Sequence, residues 1–113
     1  MIFRRSFKGR SLCADINAKL QFGVYVGTQG PTFETPAEYH FFKIIGGDAV
    51  GMSTVPEVIV ARHAGMKVLA FSVITDLGVY GKIVEVSHEE VLEAAKKAQP
   101  KLAFIMEEVI KSV

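Results

Sequence analysis

Residues 27–54 read GTQGPTFETPAEYHFFKIIGGDAVGMST, and the fold follows from how this stretch divides. Before it, residues 23–28 form a short run rich in Val and Tyr that breaks into Gln29, Gly30 and Pro31, which neither extend a helix nor pair in a central ladder. A loop carrying Phe33 and Glu34 follows. Thr35, Pro36, Ala37 and Glu38 then spell a capping box with proline at the first helical position, which predicts a helix to about Ile45, closed by Gly46. Asp48 to Met52 is the next expected strand, with Ser53 at its tip. Two strand ends therefore face one pocket.

Outward from this stretch, the pattern continues as strand, helix, strand, helix. A second box, Thr54 to Glu57, predicts a helix through Val58, Ile59 and Ala61 to a cap at Gly65. The run VLAFSVIT at 68–75 is almost wholly apolar, as a strand covered on both faces of a parallel sheet would be. Ser87 and Glu90 start a third helix, whose stripe is Val91, Leu92, Ala95, Leu102, Ile105, Met106 and Val109, with Pro100 expected to kink or split it. Residues 76–86 make a long loop that Gly78 and Gly81 allow to bend. The expected class is α/β: three strand-helix units in a mainly parallel or mixed sheet with helices on both faces.

The chain has 113 residues, 50% of them hydrophobic, which suits a single core. The expected layout is a basic segment at 1–21 of uncertain structure, then one domain portion at 22–113. Arg4, Arg5, Lys8, Arg10 and Lys19 stand against Asp15 in the first segment, where a short helix from Cys13 to Leu20 is conceivable and a solvated arm is the plainer reading. The net charge of +1 argues against a nucleic-acid surface. No apolar run spans a membrane and no secretory leader is evident, so a cytoplasmic protein is expected. The single cysteine excludes an internal disulfide, and no acid pair sits at metal-ligand spacing.

In open α/β sheets, ligands sit beyond the carboxyl ends of the strands. That rule selects residues 29–34, 52–54 and 75–76, with His88 the nearest histidine. Two carboxylates, hydroxyls, an aromatic face, a thioether and an imidazole suit a flat heteroaromatic ligand. Taken singly, Phe33, Val50 and Met52 would read as core, and Glu34, Ser53 and Asp76 as loop polar groups. His40 and His63 read as surface or satisfied histidines, and Glu38, Glu57 and Glu90 as capping residues.

The segments GVYVGTQGPTFET (23–35), GGDAVGMSTVPEVIVARHAGMKV (46–68) and FSVITD (71–76) resemble the last portion of the trimeric purine nucleoside phosphorylases. The resemblance implies phosphate-dependent cleavage of the N-glycosidic bond of purine nucleosides to free base and ribose 1-phosphate, with no cofactor and inorganic phosphate as co-substrate. It further implies a homotrimer whose partners are the nucleoside and phosphate. By the same resemblance Glu34 accepts hydrogen bonds from the purine, Phe33 packs beside it, Val50 and Met52 line base and sugar, and Ser53 binds phosphate. Tyr25 and His88 match groups near the ribose hydroxyls, and Thr75 and Asp76 the pair facing the five-membered ring. Asp76 and His88 are the candidate catalytic groups.

Two departures qualify this. Asp76 stands where the family more often has asparagine; as a donor to the departing purine it would need a pKa raised by burial, and an aspartate here resembles the sister methylthioadenosine phosphorylases. The family's phosphate-binding glycine loop, arginine and histidine have no counterpart, so the chain resembles a C-terminal portion. A non-catalytic purine-binding or oligomerising fragment is the alternative.

Overall fold

The computed structural model describes residues 20–79, 83 and 87–112. The basic arm, the possible helix from Cys13 and most of the 76–86 loop lie outside the described residues. The chain divides into two compact units: among the described residues, one holds 23–79 and 83, the other 20–22 and 87–112.

The first unit runs β1 (Tyr25–Gly27), α1 (Pro36–Ile44), β2 (Ala49–Gly51), α2 (Val55–His63). β1 and β2 pair in parallel, with Tyr25 opposite Ala49, Val26 opposite Val50 and Gly27 opposite Gly51. The pairing outruns the ladder at both ends. Asp48 N–H donates to Val24 O at 2.9 Å and Thr28 N–H to Gly51 O at 2.9 Å. The Asp48 carboxylate accepts from Val24 N–H at 2.8 Å, satisfying a donor that a fourth residue pair would otherwise have to take.

The helix α1 starts where its capping box says it must: Glu38 N–H donates to Thr35 Oγ1 at 3.3 Å, and Thr35 N–H donates back to Glu38 Oε2 at 2.7 Å. Those bonds favour the ionised Glu38 and hold its carboxyl below the usual range. Gly46, at φ 91°, closes this helix and Gly65, at φ 77°, closes α2, each in the left-handed region that costs glycine nothing.

The start of α2 departs from expectation. Thr54 makes no side-chain cap; it sits at φ 72°, ψ −50°, and Val55 N–H donates across it to Ser53 O at 2.7 Å. This is the geometry of a γ-turn, which removes Thr54 from the extended conformation that an N-cap needs. Its Oγ1 meets Ser53 Oγ at 3.2 Å instead. A β-branched residue at positive φ carries strain of about 1–3 kcal/mol. Thr54→Gly is therefore expected to raise the unfolding free energy by about 1 kcal/mol, read from the urea midpoint; an unchanged or lowered midpoint would show that the turn is not strained.

Residues 67–75 carry no ladder pairing, so the sheet among the described residues has two strands rather than three. An apolar run becomes a strand only when a neighbour supplies the partners, and no described segment stands in ladder register with this one. The run is also not covered on both faces: Val68, Ala70, Val73 and Thr75 are half-buried, whereas Leu69 and Ile74 are exposed. On α2, Val55, Val58 and Ala61 share the covered side and Ile59 and Val60 face out.

The second unit contains α3 (His88–Lys111), opened by a second complete capping box from Ser87 and Glu90 and unbroken through Pro100, which therefore does not split it. Lys111 pairs with Glu108 at 2.7 Å, which favours the charged ammonium and raises its pKa. Ile105 and Val109 are buried, and the stripe is continued by half-buried Val91, Ala94, Ala95, Ala98 and Leu102. Leu92 and Met106, expected in that stripe, are exposed because they lie one position past it on a 3.6-residue turn.

Candidate functional site

The site forms at the carboxyl ends of β1 and β2 and at the end of the 67–75 segment, all within the first unit. Thr28, directly after β1, donates from Oγ1 to Glu34 Oε1 at 3.0 Å, and the same hydroxyl lies 3.5 Å from Gly51 O. Glu34 is thus tied to the strand pair although it lies in a loop. Phe33 beside it is 52% exposed and Met52, beyond β2, is 42% exposed, so both present apolar surface at the strand ends. Val50 is half-buried in the middle of β2.

The phenol of Tyr25 reaches across to the tip of β2. Ser53 N–H donates to Tyr25 Oη at 3.4 Å, and the two hydroxyl oxygens are 3.5 Å apart. The ring crosses directly over Gly51, where an added Cβ would overlap the phenol oxygen. Only glycine at 51 lets Tyr25 approach Ser53.

Asp76 is exposed and accepts two hydroxyl hydrogen bonds: Thr75 Oγ1 donates to its Oδ1 at 2.9 Å and Tyr39 Oη to its Oδ2 at 3.3 Å. The burial expected to keep Asp76 neutral is absent. Tyr39 lies in the first turns of α1, five residues after Glu34, and its phenol is pushed up to about 12 by burial first, then by the charges of Asp76 and Glu34 and the bond to Asp76. Its ring packs on Gly78, where a Cβ would fall inside the ring. A cavity of about 370 Å³, lined by Tyr39, His40, Lys43, Ile44, Gly78 and Val79, shares only Tyr39 with this carboxylate cluster.

The structure therefore joins Tyr25 with Ser53, Glu34 with Thr28, and Thr75 with Asp76. His88 is the first residue of α3 and belongs to the second unit. Thr28 and Tyr39 were missed from sequence. The signal for Thr28 was a hydroxyl at the end of a strand that precedes a loop carboxylate; for Tyr39 it was an aromatic hydroxyl in the opening turns of the helix after that carboxylate.

The raised Tyr39 phenol has a pH consequence of definite sign. Its folded value exceeds the unfolded value of 10, so its contribution to stability is full below pH 10 and is lost as pH rises toward 12. The difference in urea midpoint between the parent and Tyr39→Phe is expected to be constant below that window and to shrink within it. A constant difference throughout would mean the phenol is not shielded.

Comparison with known proteins decides the family. The model described as the phosphorylase superfamily matches residues 4–111. The chain belongs to the phosphorylase superfamily. It is 50% identical over 97 residues to the purine nucleoside phosphorylase of Rattus norvegicus, covering 84% of this chain and 34% of that protein. With purine nucleoside phosphorylase 1 of Geobacillus stearothermophilus it shares 41% identity over 104 residues, covering 92% of this chain and 38% of the relative. The crystal structure of Schistosoma mansoni purine nucleoside phosphorylase in complex with adenosine superposes with a TM-score of 0.74 at 39% identity, covering 80% of this chain and 33% of that one. A Schistosoma purine nucleoside phosphorylase in complex with hypoxanthine gives 0.64 at 42% identity, covering 75% and 32%. The chain spans about a third of the length of the relatives it matches. No helix among its described residues is long and apolar enough to cross a membrane.

Proposed function

We propose that this chain carries the purine- and ribose-facing portion of a purine nucleoside phosphorylase, which transfers the pentosyl group from a purine to inorganic phosphate. The observation that carries this reading is the pair of carboxylates, Glu34 and Asp76, set at the carboxyl end of the fold with a hydroxyl donor, Thr28 and Tyr39 respectively, on each. Glu34 accepts N–H bonds from the six-membered ring of the base, Phe33 and Met52 cover its faces with Val50 behind, and Tyr25 positions the ribose while Ser53 contributes to phosphate binding. Thr75 and Asp76 face the five-membered ring.

The chemistry accounts for these types. As the N-glycosidic bond breaks, positive charge grows on the sugar and negative charge on the purine, while a phosphate oxygen attacks the anomeric carbon. Groups that donate to the departing base stabilise that charge only if they are fixed beforehand, and Asp76, an acceptor for Thr75 and Tyr39, serves to bind the base rather than to take up that charge. By family likeness the working enzyme is a cytoplasmic homotrimer with no cofactor beyond its phosphate co-substrate.

Phosphorolysis of inosine or guanosine with release of free base is the direct test. Turnover of methylthioadenosine alone would move the assignment to the sister family. The second reading, a purine-binding or oligomerising module without turnover, is supported by the apolar surface that α1 and α2 leave exposed at Phe41, Ile44, Ile45, Ile59 and Val60. Binding of hypoxanthine in a calorimeter with no phosphorolysis at any phosphate concentration would select it.

A further inference from the structure

We propose that Tyr39 is a positioning residue of the base site, holding Asp76 in register with Glu34 so that the site accepts a planar base offering an N–H donor to each carboxylate. The inference rests on the purine reading above and extends it to a residue outside the resembling site set.

Asp76 is exposed and follows a segment with no ladder pairing. Its other hydroxyl donor, Thr75, is its neighbour in the chain and moves with it, so Thr75 cannot fix Asp76 relative to the rest of the site. Tyr39 can. It belongs to α1, whose start is locked by the Thr35–Glu38 capping box, and Glu34 directly precedes that cap. The bond from Tyr39 Oη to Asp76 Oδ2 at 3.3 Å therefore transmits the position of the helix start, and with it of Glu34, to a carboxylate that is 37 residues away in the chain. Gly78 leaves the space the ring needs to make that reach. Burial first, and then the nearby charges of Asp76 and Glu34, keep the Tyr39 phenol a neutral donor across the physiological range. The Asp76 carboxylate accepts two hydroxyl hydrogen bonds and Glu34 one, and an ionised carboxylate offers a ligand only its further acceptor lone pairs. Two fixed acceptors select a base with a donor on each of two edges.

The test is calorimetry of adenine and hypoxanthine with the whole chain as parent, Tyr39→Phe, Asp76→Ala and the double variant. Tyr39→Phe retains the ring over Gly78 and removes only the hydroxyl, so folding is preserved; circular dichroism checks it. The tighter base is expected to weaken about fivefold in Tyr39→Phe, the scale of one long hydrogen bond to a charged group, and to change less than about twofold when the same substitution is made in the Asp76→Ala background. In ligand-free protein the Tyr39 Cζ resonance should move in Asp76→Ala. Equal losses in both backgrounds, no loss in Tyr39→Phe, or an unmoved Tyr39 resonance would overturn the positioning role and leave the purine reading standing. A parent that binds neither base would overturn both.

Discussion

Replacing Glu34 by alanine is expected to weaken binding of a purine base at least tenfold. On the proposed reading the carboxylate would accept charge-assisted hydrogen bonds from ring N–H groups, each worth about 1.5–3 kcal/mol, and tenfold corresponds to about 1.4 kcal/mol. Folding should change little, because Glu34 is half-buried in a loop and its bond from Thr28 is a single hydroxyl contact. Glu34→Gln is the sharper variant. It preserves shape and still accepts from Thr28, yet exchanges one acceptor for a donor that faces the donor of the base. Calorimetry with hypoxanthine, alongside circular dichroism, checks both; parent-like affinity in two folded variants would remove Glu34 as the anchor.

The largest effect on stability is expected at the other end of the chain. Ile105 is the most buried residue among those described, at 5% exposure, and its truncation to alanine should cost about 3 kcal/mol through lost transfer energy and the cavity left behind. For a chain of this size that is a large part of a total of about 5–15 kcal/mol. Leu92→Ala, in the same helix but 47% exposed, should cost about 0.5 kcal/mol or less. Urea titration followed by helical circular dichroism separates them. Equal costs would mean that the stripe ending in Val109 is not the covered face of α3.

The two substitutions probe different levels of the fold. Glu34 acts through what binds it, and Ile105 through packing alone, so neither measurement can stand in for the other. Thr54→Gly tests a third level, backbone strain beside Ser53, and should be stabilising where the others are neutral or destabilising. This strain sits beside Ser53, the residue proposed to contact phosphate.

Both capping boxes that the structure completes were readable directly, because a cap is an i to i+3 contact whose partners lie within one turn of each other: Thr35 with Glu38, and Ser87 with Glu90. The same locality misled at Thr54, where the residue types of a box are present and a γ-turn takes the backbone elsewhere. The motifs around Glu34, Ser53 and Asp76 were likewise visible as contiguous residues that carry the family's likeness. Three other features depended on parts of the chain meeting. Residues 67–75 look like a buried strand but have no ladder partner, since pairing is a property of two segments. Tyr25 reaches Ser53 across 28 positions only because Gly51 lies beneath its ring. Tyr39 reaches Asp76 across 37 because Gly78 yields space and α1 is fixed at its start. Local hydrogen bonds and apolar periods are written in neighbouring residues, whereas which hydroxyl meets which carboxylate is set by the separation of elements that only the folded chain brings together.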